Sequence, residues 1–249
     1  MNELELLITL HKNSDRLGPG SEADTLKALE FIPLPQDRKL KVADLGCGTG
    51  AQTITLARNL SGQITAVDLF PAFLDELTKK SKHLGLTNQI NTLCTSMDEL
   101  PFGNGEFDLI WSEGAIYNIG FESGIKHWKN FLKTGGYLAL SEITWISPVR
   151  PKEIEDYWHQ VYPEIATASD KIRILERNGF SPVAYFYLSP ESWTNHYYKP
   201  LEKRFAAFLD QLAHSELAKK VVEDTKMEME WYQKYKDHYS YGFYIAKKI

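Results

Sequence analysis

The chain has 249 residues, with 28 Lys and Arg against 33 Asp and Glu, a formal net charge of -5 and 43% hydrophobic residues. That length admits one large α/β domain, or one domain with an elaborated cap, and the acidic balance leaves no electrostatic footprint for bulk nucleic-acid binding. No apolar run reaches membrane-spanning length, the acidic start Met1-Asn2-Glu3-Leu4-Glu5 lacks the basic region of a signal peptide, and Cys47 and Cys94 have no metal-ligand spacing to any His, so a cytoplasmic protein with reduced thiols is expected.

Taken in order, residues 2–12 place Leu4, Leu7, Ile8 and His11 at helical spacing. Asp15-Arg16-Leu17-Gly18-Pro19-Gly20 breaks that helix. Ser21 can cap the next, with Asp24 three residues on in the manner of a capping box. Leu26, Leu29 and Ile32 form its stripe, and Pro33 and Pro35 end it. Two readings stand open for this segment: it folds over the mouth of a ligand site, or it packs on a sheet edge.

Strand–helix alternation follows. Lys39 to Asp44 predicts a strand, Thr49 to Leu60 a helix, Gln63 to Asp68 a strand and Pro71 to Leu84 a helix. Ile90 to Thr95 and Phe107 to Ser112 predict two more strands. A helix is expected from Glu122 to Lys133, ended by Thr134-Gly135-Gly136, and then a strand from Tyr137 to Ile146. This alternation gives a doubly wound, mostly parallel sheet with helices on both faces. Ligands of such sheets sit beyond the C-terminal strand ends. Asp44, Asp68, Ser96 and the stretch Trp111 to Glu113 all fall there.

The last hundred residues predict a helix over Pro148 to Tyr162 and another from Ser169 to Asn178-Gly179. Strands follow over Phe180 to Leu188 and Tyr239 to Ala246. About fifty residues lie between those strands, far beyond a hairpin loop. They carry Trp193-Thr194-Asn195-His196-Tyr197-Tyr198, the helical stripe Leu201, Phe205, Phe208, Leu209, Leu212, and the charged run Glu216 to Lys236. No Pro/Ser linker divides the chain. One domain over 1–249 is expected, with N-terminal helices over 1–36, a core over 37–146 and a C-terminal part with lid and inserted helices over 147–249.

The chemistry concentrates at Asp44-Leu45-Gly46-Cys47-Gly48-Thr49-Gly50-Ala51. Three alternate glycines between a strand and a helix mark a loop where backbone can approach a ligand, because glycine has no Cβ and tolerates positive φ. Gly46-x-Gly48-x-x-Ala51 also satisfies a dinucleotide pattern, so a nicotinamide dehydrogenase is one alternative. Asp68, at the end of the next strand, can hold both hydroxyls of a ribose in either case. Asp44 separates the two: a carboxylate directly before the glycines opposes a pyrophosphate and suits an ammonium.

With Leu100-Pro101-Phe102 and Phe107-Asp108-Leu109-Ile110 further on, residues 40–145 resemble the class I S-adenosylmethionine-dependent methyltransferases. The resemblance implies a seven-stranded Rossmann-like sheet with an antiparallel C-terminal edge. It implies S-adenosylmethionine as cofactor, with Gly46, Gly48 and Gly50 along its methionine end and ribose. Asp44 would hold the amino group directly or through water, Asp68 the ribose hydroxyls, and Leu69 would pack on the adenine. Adenine recognition falls in Ser96-Met97-Asp98. Many relatives carry Asp where Ser96 stands, so Asp98 or the Ser96 hydroxyl is left to accept from the adenine amino group.

Ser112, at the end of the fourth strand, is counted with the cofactor-binding residues; acceptor-facing groups of the family follow that strand, which brings in Glu113 and Tyr117. Glu113 is read as a base or a cation-binding carboxylate, against a plain cap residue. Tyr117 is read as orienting the acceptor, against packing under the lid. Trp145, Trp193, His196 and Tyr197 are read as an aromatic cover on a small-molecule acceptor, against forming the core of the cap. The Asn/Asp-Pro-Pro-Tyr motif of nucleobase or Gln methylation is absent, and no Asp/Asn/His set marks a metal. Methyl transfer to N or O of a small molecule, by a monomer or homodimer, is the expected function. A cofactor-binding regulatory or scaffold protein without turnover is the rival.

Overall fold

The computed structural model describes residues 1–36 and 38–249. Residue 37, the first position of the expected core, lies outside the described residues. Helix α1 (Glu3–His11) begins with a reciprocal capping box, Asn2 Oδ1 accepting from Glu5 N–H while a Glu5 carboxylate oxygen accepts from Asn2 N–H. The box expected at Ser21 is half formed. Ser21 caps α2 (Glu22–Glu30) by accepting from Asp24 N–H, but the Asp24 carboxylate accepts from the Ser21 and Ser192 hydroxyls instead of the cap backbone.

The core then runs β1 (Leu40–Leu45), α3 (Ala51–Asn59), β2 (Gly62–Asp68), α4 (Pro71–His83), β3 (Ile90–Cys94), β4 (Phe107–Glu113), α5 (Phe121–Trp128) and β5 (Leu132–Trp145). After it come α6 (Lys152–Val161), β6 (Ala166–Thr167), α7 (Ala168–Arg177), β7 (Phe180–Tyr187), α8 (Pro190–Trp193), α9 (Lys199–Glu202), α10 (Phe205–Gln211), α11 (Glu216–Tyr235) and β8 (Tyr239–Lys248). One π turn, Thr194–Tyr198, joins α8 to α9.

The sheet order is β3-β2-β1-β4-β5-β8-β7, with β6 paired to β5 off that path. The pairs among β1 to β5 are parallel, and β8 is antiparallel to both β5 and β7. Seven strands form the expected Rossmann-like order. The two-residue β6 makes an eighth, too short to carry a periodic pattern in the sequence. Pro182 is tolerated because β7 is an edge strand with a register shift there.

One boundary differs from expectation. Thr134-Gly135-Gly136 does not end a helix: α5 stops at Trp128, a 3₁₀ turn covers Lys129–Phe131, and the strand has already begun at Leu132. Leu132 pairs with Phe107, and the register shifts before Leu109 meets Tyr137. Gly135, at φ +78, lies inside that irregularity. Strand pairing to β4 therefore captures residues whose local signal is helix termination.

Each face of the sheet has its own core. Leu56, Leu74 and Leu77 pack with Val42 and Leu109 on one side, and Phe121, Ile125, Trp128 and Leu175 with Ile110 and Leu138 on the other. Two further clusters lie toward the C-terminal strand ends. Trp145, Trp193, Tyr232 and Tyr239 form an aromatic one, and Leu6 and Leu10 of α1 join Leu201, Phe205, Phe208, Val221 and Val222 in the other. Helix α1 is thus built into the inserted helices and does not simply lie on a sheet edge.

Candidate functional site

β1 and β2 run side by side and deliver the glycine loop and Asp68 to the same end of the sheet. Gly46, Gly48 and Gly50 take φ of +74, +54 and +84, a region closed to most side chains. Asp68 is the post around which the loop turns: it accepts from Gly48 N–H at 2.8 Å and from Phe70 N–H at 3.0 Å. Burial raises its pKa, and those N–H groups pull it back down.

The glycines have a second use. A Cβ at Gly46 would stand 2.3 Å from Ala115 Cβ, at Gly48 2.7 Å from Leu17 Cδ1, and at Gly50 2.2 Å from Leu77 Cδ1. The loop is therefore pressed against the turn after β4, the N-terminal segment and α4. Thr49 strengthens the second contact, its hydroxyl donating to the carbonyls of Ser14 and Asp15 at 2.8 and 3.0 Å.

A cavity of about 730 Å³ opens from this loop, within the range of small-molecule sites, roughly 300–1,000 Å³. Gly46, Gly48, Asp68, Leu69, Ser96, Met97 and Asp98 line it, as do Glu113, Tyr117 and Tyr197. Leu69 is 56% exposed, an apolar side chain offered to the cavity. The Ser96 hydroxyl donates to Asp98, so these two act as one polar unit. The Met97 carbonyl accepts from Trp128 Nε1 at 3.0 Å, which ties its segment to the end of α5.

Several residues expected at the site stand elsewhere. Asp44 is fully buried behind the loop, accepting from Thr53 Oγ1 at 2.5 Å and Gln52 Nε2 at 3.4 Å. Burial first, then the charges of Glu113 and Asp68, push its carboxyl up to about 7. Between Asp44 and the cavity stands Gln52, which lines the wall, so any influence on a ligand runs through that side chain. Gly50 is the N-cap of α3. Ser112 is buried and ties β4 to β1 by donating to the Leu45 carbonyl at 2.8 Å.

Glu113 is not a free base. Its Oε2 accepts from Arg16 at 2.7 Å, and its Oε1 accepts from Thr25 Oγ1 at 2.7 Å and Trp111 Nε1 at 2.9 Å. With the Glu113 side chain 5% exposed and that of Arg16 10%, the pair is a buried clamp between β4 and the N-terminal segment. Trp193 is 3% exposed, stacks on Tyr232 at 4.3 Å and donates to Ser240 Oγ at 3.0 Å. Trp145 is 2% exposed beneath the Arg150 guanidinium. Both belong to the aromatic core. His196 lies on a separate groove with Arg58 and Lys80. Of the expected aromatic cover, only Tyr197 reaches the cavity, with Tyr117 opposite in the chain's order of elements.

The lining residues that sequence reasoning did not single out for the site include His11, Thr225, Glu228 and Gln52. His11 stacks on Tyr197, ring centroids 6.2 Å apart. Burial, helped by the charge of Arg204, lowers its pKa to about 4, so the imidazole is neutral at pH 7. Nothing periodic marks Thr225 or Glu228, which sit in a highly charged run. Only the packing of α1 against α10 and α11 aims them inward.

Known proteins agree with this geometry. Residues 42–136 match the family model described as a methyltransferase domain. The chain is 30% identical over 107 residues to a ubiquinone/menaquinone biosynthesis C-methyltransferase of Psychromonas ingrahamii, 42% of this chain and 43% of that protein. It is 29% identical over 111 residues to a dimethylglycine N-methyltransferase of Parasynechococcus marenigrum, 44% of this chain and 39% of that protein. The chain spans about half the length, or less, of the curated relatives it matches. The structure of a methyltransferase from Geobacter sulfurreducens, solved with S-adenosyl-L-homocysteine, superposes with a TM-score of 0.85 at 15% identity, covering 98% of each chain. The matched segment holds the glycine loop, Asp68, the Ser96–Asp98 turn and β4, and over it the chain is similar to methyltransferase domains.

Proposed function

We propose that the protein binds S-adenosylmethionine and moves its methyl group to N or O of a small molecule. The observation that carries this reading is that one cavity joins the Gly46–Gly50 loop, Asp68 and Leu69 to a mainly apolar and aromatic wall from α1, the turn after β4, the π turn and α11. The residues fit the cofactor: a strand-end carboxylate for ribose hydroxyls, an accessible Leu69 for a flat ring, and the linked Ser96–Asp98 acceptors for an amino group. The bound cofactor supplies a methyl group already activated on a sulfonium, so the chain's main task is alignment.

Asp68 holds the ribose edge in place while it also fixes Gly48. Arg16 and Glu113 keep the N-terminal segment closed against the strand end, and Leu17 lies over Gly48, which excludes water from that side. Tyr117 and Tyr197 orient the acceptor. The neutral His11 is able to accept a proton if the acceptor must lose one. A small acceptor, in place of a nucleic acid, suits a net charge of -5 and a cavity whose only guanidinium, Arg16, is already paired. Among the described residues no helix is long and apolar enough to cross a membrane; a cytoplasmic monomer or homodimer is our reading. Calorimetric titration with S-adenosylhomocysteine tests the proposal: saturable one-site binding, with NAD(H) silent, is expected, and no heat from S-adenosylhomocysteine would refute it.

A further inference from the structure

We infer that Glu228, with Tyr117 and Tyr197, forms a subsite for a cationic amine, so that the acceptor carries an ammonium group. The inference rests on the cofactor reading above only for the acceptor's role; the subsite itself is argued from the cavity wall. Glu228 lies on α11 and lines the cavity together with Thr225, Tyr117 and Tyr197. One carboxylate oxygen accepts from Tyr198 Oη at 2.9 Å. Among the described residues no Lys, Arg or His comes within ion-pair distance of it. Glu228 is exposed, and it lines the cavity, where crowding by neighbouring atoms raises its carboxyl pKa. Tyr198, which donates to Glu228, packs on Tyr197 with ring centroids 5.0 Å apart, and Tyr117 lines the same cavity.

A carboxylate that lines a cavity without a counter-ion offers its charge to a ligand cation, and the attraction is stronger beside low-dielectric protein walls than in open solvent. Phenol rings facing the same space add attraction to a cation through their π faces. The other charged groups of the wall do not compete: Arg16 is closed on Glu113, and His11 is neutral. An acceptor presenting phosphate or carboxylate at this end would meet Glu228 with no cation to offset it.

The test uses the full chain, with and without saturating S-adenosylhomocysteine. Calorimetry compares choline with its neutral isostere 3,3-dimethylbutan-1-ol, and benzylamine with benzyl alcohol. At least one cation should bind tenfold or more tightly than its neutral partner. Glu228→Gln should abolish that preference while S-adenosylhomocysteine affinity stays within twofold. Tyr197→Leu should reduce the preference severalfold, and it carries the test if Glu228→Gln does not fold. No preference for either cation in the wild type, or an undiminished preference in both variants, overturns the subsite. Failure of S-adenosylhomocysteine to bind, with the cation preference intact, would instead remove the methyltransferase reading and leave the subsite standing.

Discussion

Asp68 links the loop's shape to its ligand chemistry. Its two oxygens each take a backbone N–H, from Gly48 and from Phe70, so on the proposed reading a ribose hydroxyl would share lone pairs with groups that hold the loop. Removing it costs twice. Asp68→Ala should weaken S-adenosylhomocysteine binding by about 2–4 kcal/mol, since hydrogen bonds to a charged group exceed neutral ones. Asp68→Asn, which keeps one acceptor, should fall between; unchanged affinity in the alanine variant by calorimetry would contradict the placement. Asp68 was readable because a strand-end acid after a glycine loop is a local pattern. For Asp44 the pattern fixes only its position along the chain; its burial beneath Gln52 and Thr53 is decided by α3 packing on the sheet. His11 gives a pH prediction. Its folded pKa lies below the ordinary 6.5, at about 4, so the folded state binds fewer protons than the unfolded one between those values. Its stabilising contribution is complete above pH 6.5 and is lost as pH falls toward 4. His11→Phe keeps a ring on Tyr197 and removes the titration. Denaturant midpoints should therefore fall less between pH 7 and pH 4.5 in the variant than in the wild type, and equal falls would contradict a buried neutral imidazole.

At the scale of elements, alternation along residues 39–146 carried enough information to give a mostly parallel sheet with helices on both faces, because its strands and helices have their own apolar periods; the order of the strands comes from the structure. The C-terminal helices were harder. Trp193, Tyr197 and Tyr198 look alike in sequence, but the π turn gives them different surroundings: Trp193 and Tyr198 join the aromatic cluster around Tyr232, Tyr198 also reaching Glu228, and of the three only Tyr197 lines the cavity. Helical spacing cannot register a π turn, since it changes the phase within five residues. Trp193→Ala should accordingly behave as a core truncation, losing about 3–5 kcal/mol of stability, with S-adenosylhomocysteine affinity retained in the folded fraction. A variant that melts like the wild type yet loses ligand binding would return Trp193 to the pocket. Glu113→Gln tests the clamp between β4 and the N-terminal segment. It leaves the Arg16 guanidinium buried without its counter-ion, a change worth about 3–5 kcal/mol in buried pairs. Hydrogen exchange should accelerate over residues 14–20, and protection unchanged there would argue against the clamp.

Across the whole molecule, the cavity draws on parts far apart in the chain: the strand ends of the core, α1 with its following loop, and the inserted helices with Tyr197 of the π turn and α11. The ligand loop belongs to the first, but its cover belongs to the other two. Leu10 joins them: it is fully buried among Phe205, Phe208 and Val221, its carbonyl accepts from Arg204 Nε at 2.9 Å, and His11 beside it turns to the cavity. The sheet has its own two cores and does not depend on this cluster. Leu10→Ala should therefore act unevenly. The lost methyl groups and the residual cavity should cost about 2–5 kcal/mol, taken mainly from the contact of α1 with α10 and α11. Limited proteolysis should then cut within residues 199–235 or the first twenty residues at protease levels that leave the wild type whole, while strand content by circular dichroism stays unchanged. S-adenosylhomocysteine should still bind, with a faster dissociation rate, because Leu17 and Arg16 are less firmly held over the glycine loop. Cleavage spread evenly over the sheet, or a single cooperative loss of all structure at the same denaturant concentration, would show that cap and sheet are one unit and that the cavity's cover cannot open separately.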